Sequence, residues 1–352
     1  MKEKINIKKW QLLRLRSNEE ELDLSDESFV AVGKKAFRGG RQERITLPAM
    51  ASVIKAEAFS GCSRLKTVVL SGEGGIGVST GVFAGCERLR EVENSEILTA
   101  VGERAFDGCI MLERIAFGKP LRRIGAEAFR RCKSLESLFL PASVKSMGKG
   151  AFRDCTELSC AEVEDSFDAY AEEMFRGCIS LSQIPLSGQV RELPRGIFRD
   201  CSAISQVLLP GQIHTVGKSA FEGCTRLASV RMELGVERIG AKAFADTPRL
   251  REVYLPHSVK KLGRRAFGSG RRSPEERIKV CVENEYMAKR AKRMLFLCGS
   301  SGCAEVVIVG KTIEERKRER RRASLHTEPV HLIDPVEEKE NAPSMGGEQE
   351  NE

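Results

Sequence analysis

The sequence predicts a repeat solenoid of short parallel strands, and three observations carry that prediction. Phenylalanine returns on a fixed period, at Phe37, Phe59, Phe83, Phe106, Phe129, Phe152, Phe175, Phe198, Phe221, Phe244 and Phe267. The first two intervals are 22 and 24 residues, and the remaining eight are all 23. A cysteine follows three residues later, from Cys62 and Cys86 through Cys201 and Cys224, with Thr247 and Gly270 replacing it late in the array. A segment of the type L-x-x-V-x-L begins six residues after each Phe from Phe59 to Phe244, as in Leu135 to Leu140. Self-similarity at a period of this size marks a stacked-repeat architecture.

Each element follows from that register. The end of L-x-x-V-x-L alternates apolar and outward positions, so it reads as a short strand with one face inward. Pro48, Pro141, Pro210 and Pro256 close strands, where a missing amide donor is tolerated. A Val/Ile-Gly pair then precedes the next Phe, as in Val101-Gly102, Ile124-Gly125, Val216-Gly217 and Ile239-Gly240, and the Gly is expected to permit the tight bend. One such unit cannot bury its own apolar face; stacked units can, each Phe, Leu and Val resting on its counterpart one turn away. Two turns depart from the pattern. Ser71 to Ser79 carries an extra residue and has Gly75 at an apolar position, so an outward-bulging loop is expected. The turn ending at Phe175 has Ala161, Glu164 and Tyr170-Ala171 at consensus positions and should be the least regular.

The two ends differ from the array. Residues 1–27 form the N-terminal edge, with Leu22 and Leu24 on one strand and Trp10 to Leu15 expected over the open end. The array occupies 28–270 in ten to eleven turns. Residues 271–310 read as a cap. Ile278, Val280 and Val282 alternate as a strand, Glu285 to Leu297 forms a basic amphipathic helix, and Val306 to Val309 forms a last short strand. A terminal repeat must cover its core and its edge, which is the role expected of this segment. Residues 311–352 are charged, with little to bury, and are expected to be a disordered tail.

The repeat resembles the BspA-like class of leucine-rich repeats, with the approximate pattern A-F-x-x-C-x-x-L-x-x-V-x-L-P-x-S-V-x-x-I-G. Leu135 to Phe152 and Leu250 to Phe267 follow it nearly position for position. The resemblance implies a leucine-rich-repeat β-solenoid or horseshoe with a small α/β C-terminal cap, and it implies binding. Family members include microbial surface and adhesion-type proteins. A fold of this kind hosts many functions, so the site must be argued from its residues.

Composition narrows the function classes. No run of about 18 apolar residues is present, so no membrane-spanning helix is expected. Met1 to Arg16 lacks the apolar core and small-residue cleavage site of a secretory signal, which makes the cytoplasm the expected location, with a cell-surface or secreted adhesin exported without a classical signal as the alternative. The twelve cysteines are read as reduced thiols, and the eight in the repeat register as small buried apolar residues. Cys281, Cys298 and Cys303 lie outside that register. A formal charge of +8 falls short of a dense nucleic-acid-binding surface. Only four His are present, and no phosphate loop, dinucleotide fingerprint or zinc-protease helix occurs, so no catalytic site, cofactor, metal or small-molecule substrate is expected.

A protein partner on the solenoid surface is the expected function. Strand positions eight and ten after Phe point away from the core and should line the concave face. They include Arg114, Phe139, Pro185, Leu208, Arg231 and Tyr254. Phe139, Leu208 and Tyr254 are aromatic or apolar anchors of the kind enriched at interfaces, with Arg114 and Arg231 beside them in the register. A second column, Arg130, Arg153, Arg176 and Arg199, would form a positive edge for an acidic partner unless Asp154 and Asp200 neutralise it. Arg316 to Arg322 could serve as a nucleic-acid, membrane or nuclear-import patch or bind an acidic partner, and Ser324 sits in a basophilic kinase-like context; a solubilising tail is the plainer reading.

Overall fold

The computed structural model describes residues 20–309, except 73 and 269–271. The expected coverage of the open end by Trp10 to Leu15, the disorder of the tail and the roles of Arg316 to Arg322 and Ser324 lie outside the described residues. The chain winds into a parallel-strand solenoid of about twelve turns, and each full turn contributes to two strand ladders. The L-x-x-V-x-L strands form one: Glu21–Asp23, Arg44–Thr46, Thr67–Val69 and Glu91–Glu93, then Ser137–Leu140 with Cys160–Val163, then Gln206–Leu209, Ser229–Met232 and Glu252–Tyr254. Shorter strands, such as Val53–Ile54, Arg123–Ile124 and Thr215–Val216, form the second ladder at the Val/Ile-Gly positions. Pairing is parallel throughout, with partners such as Val207↔Val230 and Val230↔Val253 one repeat apart.

The core is a column of rings. All eleven repeat Phe side chains are buried, and consecutive rings stack at centroid distances of 5.0 to 5.9 Å. Beside each ring the backbone continues the ladder without strand geometry. Phe106 N–H donates to the Ala128 carbonyl at 2.7 Å, and Phe129 N–H to that of Ala151 at 2.8 Å. The eight register cysteines fill the space next to the rings. Each Sγ–H donates to the carbonyl of the Phe one turn earlier, at 3.0 to 3.3 Å, from Cys62 on Phe37 to Cys224 on Phe198. They are therefore small buried groups that also satisfy a buried carbonyl.

The bend has a different cause from the one expected. The repeat glycines at 102, 125, 148, 217, 240 and 263 do not have positive φ. They are glycine because the previous turn passes too close. A Cβ on Gly148 would lie 2.1 Å from the Ala126 nitrogen. The left-handed position falls two residues before each Phe, at φ 52° to 61° in all eleven turns, and at eight of them the residue is not glycine. Left-handed backbone costs a non-glycine residue on the order of 1–2 kcal/mol. A bond between turns offsets that cost: Arg104 N–H reaches the Ala126 carbonyl and Lys242 N–H that of Arg264, at 2.9 and 3.0 Å.

Three turns depart from the regular winding. The segment 71–79 does not bulge out as a whole. Ile76–Val78 is a strand with Ile76 fully buried, and the register slip appears where it meets Leu98–Val101. Ile76 takes the apolar place that Gly75 vacates. The next irregularity was not legible in the repeat. Asn94 replaces the second strand leucine, adopts the left-handed conformation and donates to the Leu70 carbonyl at 2.9 Å, and a short 3-10 helix Ser95–Ile97 follows. In the following turn the long-strand ladder is reduced to an isolated bridge, Glu91↔Arg114, while Arg123–Ile124 continues the second ladder. The turn ending at Phe175 is irregular, as expected: the second ladder has no strand there, and the long-strand ladder ends with Cys160–Val163 and is missing from the turn that follows. Phe167 enters the core, Tyr170 stands edge-on to it at 5.0 Å, and the Tyr170 hydroxyl accepts from Ser187 N–H and donates to the Pro185 carbonyl. Pro185, expected to face outward, is buried, while Ile184 and Leu186 are half-buried.

The C-terminal end continues the winding. Ile278–Val282 pairs in parallel with Glu252–Tyr254, and Ala304–Ile308 pairs with Ile278–Val282. The helix Glu285–Leu297 starts at Asn284, whose side chain accepts from Met287 N–H, and buries Met287, Ala288, Ala291 and Leu295. Residues 298–303 stand in for a further repeat. Arg265 N–H donates to the Cys298 carbonyl, Phe267 N–H to Ser300 Oγ, and the Cys303 thiol to the Phe267 carbonyl. Cys303 thus extends the cysteine ladder, from which its sequence position had excluded it.

Candidate interaction surfaces

Strand alternation decides what faces outward. In Gln206–Leu209 and Ser137–Leu140 the second and fourth residues are buried and the first and third exposed. Phe139, Leu208 and Tyr254 are consequently 47%, 54% and 38% exposed. The register sets three of the expected residues side by side: Leu208 opposes Arg231, and Arg231 opposes Tyr254. The Arg231 guanidinium lies over the Tyr254 ring, 5.9 Å from its centroid. Such a stack fixes both side chains while leaving them accessible.

Beside Tyr254 the surface is concave. A cavity of about 470 Å³ is lined by Arg231, Leu234, Tyr254, Pro256, Glu283 and Val309, among others. Leu234 and Val309 are more than half exposed and were missed in the sequence, because both lie outside the alternating strand positions. Phe139 and Arg114 are also exposed but belong elsewhere. Phe139 sits in the separate pair Ser137–Leu140 and Cys160–Val163, and Arg114 in the interrupted turn before it. The five expected residues therefore form one contiguous trio and two separate positions.

The arginine column is neutralised within the chain. Arg130 makes a bidentate pair with Asp107 at 2.7 and 3.0 Å and also meets Glu127. Arg153 and Arg176 share Glu173, while Arg176 and Arg199 share Asp200. Arg199 also meets Glu222. Asp154 and Asp200 do compensate, as expected, but the buried carboxylates Asp107, Glu173 and Glu222 contribute as well. Burial pushes Glu173 upward, yet Lys149, Arg176 and Arg153 outweigh it and hold the carboxyl below its ordinary range. Glu222 is likewise lowered, against burial, by Ser219, Lys242 and Arg199.

The thiols and histidines have structural surroundings. Burial raises the Cys109, Cys132 and Cys155 thiols far above their ordinary value, and that of Cys224 to about 12. His214 Nδ1 lies 3.1 Å from the Gly235 carbonyl, and His257 lies 3.5 Å from Glu283. Among the described residues no group of three or more His, Cys, Asp or Glu side chains converges as a metal site. No described helix is long and apolar enough to cross a membrane.

Comparison with known proteins places this geometry. The family profile of the BspA type leucine rich repeat region matches residues 30–159 and 145–271, in six copies. A leucine-rich repeat protein from Bacteroides ovatus is 25% identical and superposes with a TM-score of 0.68, over 79% of this chain and 69% of that one. A Treponema pallidum leucine-rich repeat protein is 30% identical over 47% of this chain and 79% of its own, with a TM-score of 0.43. A leucine rich cell surface protein from Faecalibacterium prausnitzii is 19% identical, over 67% of this chain and 87% of that one, with a TM-score of 0.38. No curated protein matches the chain.

Proposed function

This chain belongs to the BspA-type leucine-rich-repeat family, and from that membership we propose that it is a non-enzymatic scaffold that binds a protein partner on its outward strand face. The observation that carries the reading is the row Leu208–Arg231–Tyr254. There, exposed apolar and aromatic groups sit on a rigid ladder next to a cavity that also exposes Leu234. Aromatic and Arg anchors beside a concavity supply most of the energy of typical protein interfaces. Phe139 and Arg114 serve as secondary contacts in this reading. The arginine column does not, because its charges are already paired.

We place the protein in the cytoplasm. Eight thiols that each donate a proton to a buried carbonyl require reduced cysteine, which supports that location. Protease treatment of intact cells distinguishes it from the cell surface. The interface is tested by affinity capture with the full chain and with a Leu208→Ala/Tyr254→Ala variant. The expected outcome is a partner captured by the parent chain and lost by the variant, with an unchanged thermal unfolding midpoint. Identical captured sets would refute the strand-face reading.

A further inference from the structure

The end of the molecule carries a second surface with a different chemistry. The helix Glu285–Leu297 buries one side and leaves the other uncovered. Tyr286, Lys289, Arg293 and Phe296 are spaced by three, four and three residues, which aligns them along one line of the helix. Tyr286 is 74% exposed, Phe296 73% and Leu297 72%, the most exposed large apolar or aromatic side chains among the described residues. Between them stand Lys289, Lys292 and Arg293.

The solenoid adds charge of the same sign. The helix packs against Lys261–Leu262, and Arg265 N–H donates to the Cys298 carbonyl immediately after the helix. That brings exposed Lys261, Arg264 and Arg265 to the same end of the molecule. These three and the three helix cations make no ion pair among the described residues, unlike the arginine column, where every guanidinium has a carboxylate.

We propose that this helix face is a docking surface for an anionic lipid bilayer. Unpaired cations meet the negative surface potential, while Tyr286, Phe296 and Leu297 enter the boundary between headgroups and acyl chains. Lipid is favoured over nucleic acid because the exposed set includes an aliphatic leucine. Leu297 gains nothing from base stacking and gains fully from leaving water. The helix has only to lie on the bilayer, since its other face is held by the solenoid core.

The test uses the full chain in co-sedimentation with phosphatidylcholine vesicles, with and without phosphatidylserine. Binding should require phosphatidylserine and weaken as salt rises. The variant Lys289→Gln/Lys292→Gln/Arg293→Gln should lose affinity by about fivefold per charge removed, on the order of a hundredfold together. Phe296→Ser/Leu297→Ser should lose binding even at low salt. Both variants change exposed positions, and each should retain the parent's thermal midpoint. Leu208→Ala/Tyr254→Ala should bind vesicles normally, which separates this surface from the proposed protein interface. The proposal is overturned if phosphatidylserine vesicles fail to pellet the parent chain, or if either helix variant pellets as the parent does. Retention on a uridine homopolymer at a salt concentration that strips the chain from vesicles would also overturn it, in favour of nucleic acid.

Discussion

Cysteine in this chain behaves as a buried packing residue with one proton to donate. The eight ladder thiols are buried, and each donates to a phenylalanine carbonyl, in most turns as a second donor beside a backbone N–H, as Cys155 Sγ–H joins Cys132 N–H on the Phe129 carbonyl. Reaction needs a thiolate that the reagent can reach, so thiols buried in the ladder should be inert. Cys160 alone is exposed. Titration of the native protein with a chromogenic disulfide at mildly alkaline pH should therefore show one fast-reacting thiol, and the remainder only after denaturation. Several fast thiols would contradict the packing role. The buried carboxylates give a second test. Glu173 and Glu222 both titrate below their ordinary range in the folded chain. The stability they add is therefore present above the unfolded carboxylate range and is lost as pH falls through their depressed folded values. Replacing both by Gln should flatten the acid limb of a plot of stability against pH, measured by urea denaturation at several pH values. A curve of unchanged slope would show that the arginine column contributes little.

At the scale of the element, hydrogen bonding is unevenly spread. Gln206–Leu209 is bonded across to Ser229–Met232, which is bonded in turn to Glu252–Tyr254. Around 182–187 the long-strand ladder is broken, and the turn is held instead by the Tyr170 hydroxyl and by Ser187 Oγ donating to the Phe167 carbonyl. Local opening follows the loss of buried backbone bonds. Native-state hydrogen exchange should be faster at 182–186 than at 206–209. Equal protection would show that the packing of Phe167 and Tyr170 replaces the missing ladder in full. At the cap, Asn284 satisfies the Met287 amide at 3.0 Å, so Asn284→Ala should cost about 1 kcal/mol, read from the urea midpoint.

Among the described residues the strand ladders and ring stacks join each turn to its neighbours, and only side-chain pairs such as Arg44 with Glu93 reach past one turn, so cooperativity depends on an unbroken core. Phe152 lies in mid-column, with ring centroids 5.2 Å from Phe129 and 5.9 Å from Phe175. It also borders the turn where the ladders stop. Truncation of a buried Phe costs about 3–5 kcal/mol. Phe152→Ala should accordingly split thermal unfolding, followed by calorimetry, into two transitions, because nearest-neighbour coupling is what joins the halves. A single sharp transition at a lower midpoint would show coupling beyond neighbouring turns. The same architecture explains what could be read in advance. The period of Phe, Cys and Leu specifies the solenoid outright, because only stacking buries those positions together. Strand alternation likewise assigned Phe139, Leu208 and Tyr254 to the outside. Tertiary structure decided the rest. The repeat glycines answer to the approach of a neighbouring backbone, Cys303 joins a ladder from which 36 residues separate its acceptor, and Pro185 turns inward where the long-strand ladder is broken. Whether the arginines were free depended on carboxylates of the adjacent turn as well as their own. A periodic sequence states what each residue faces within its own turn; what the next turn brings against it is a matter of spatial contact, which only the wound chain supplies.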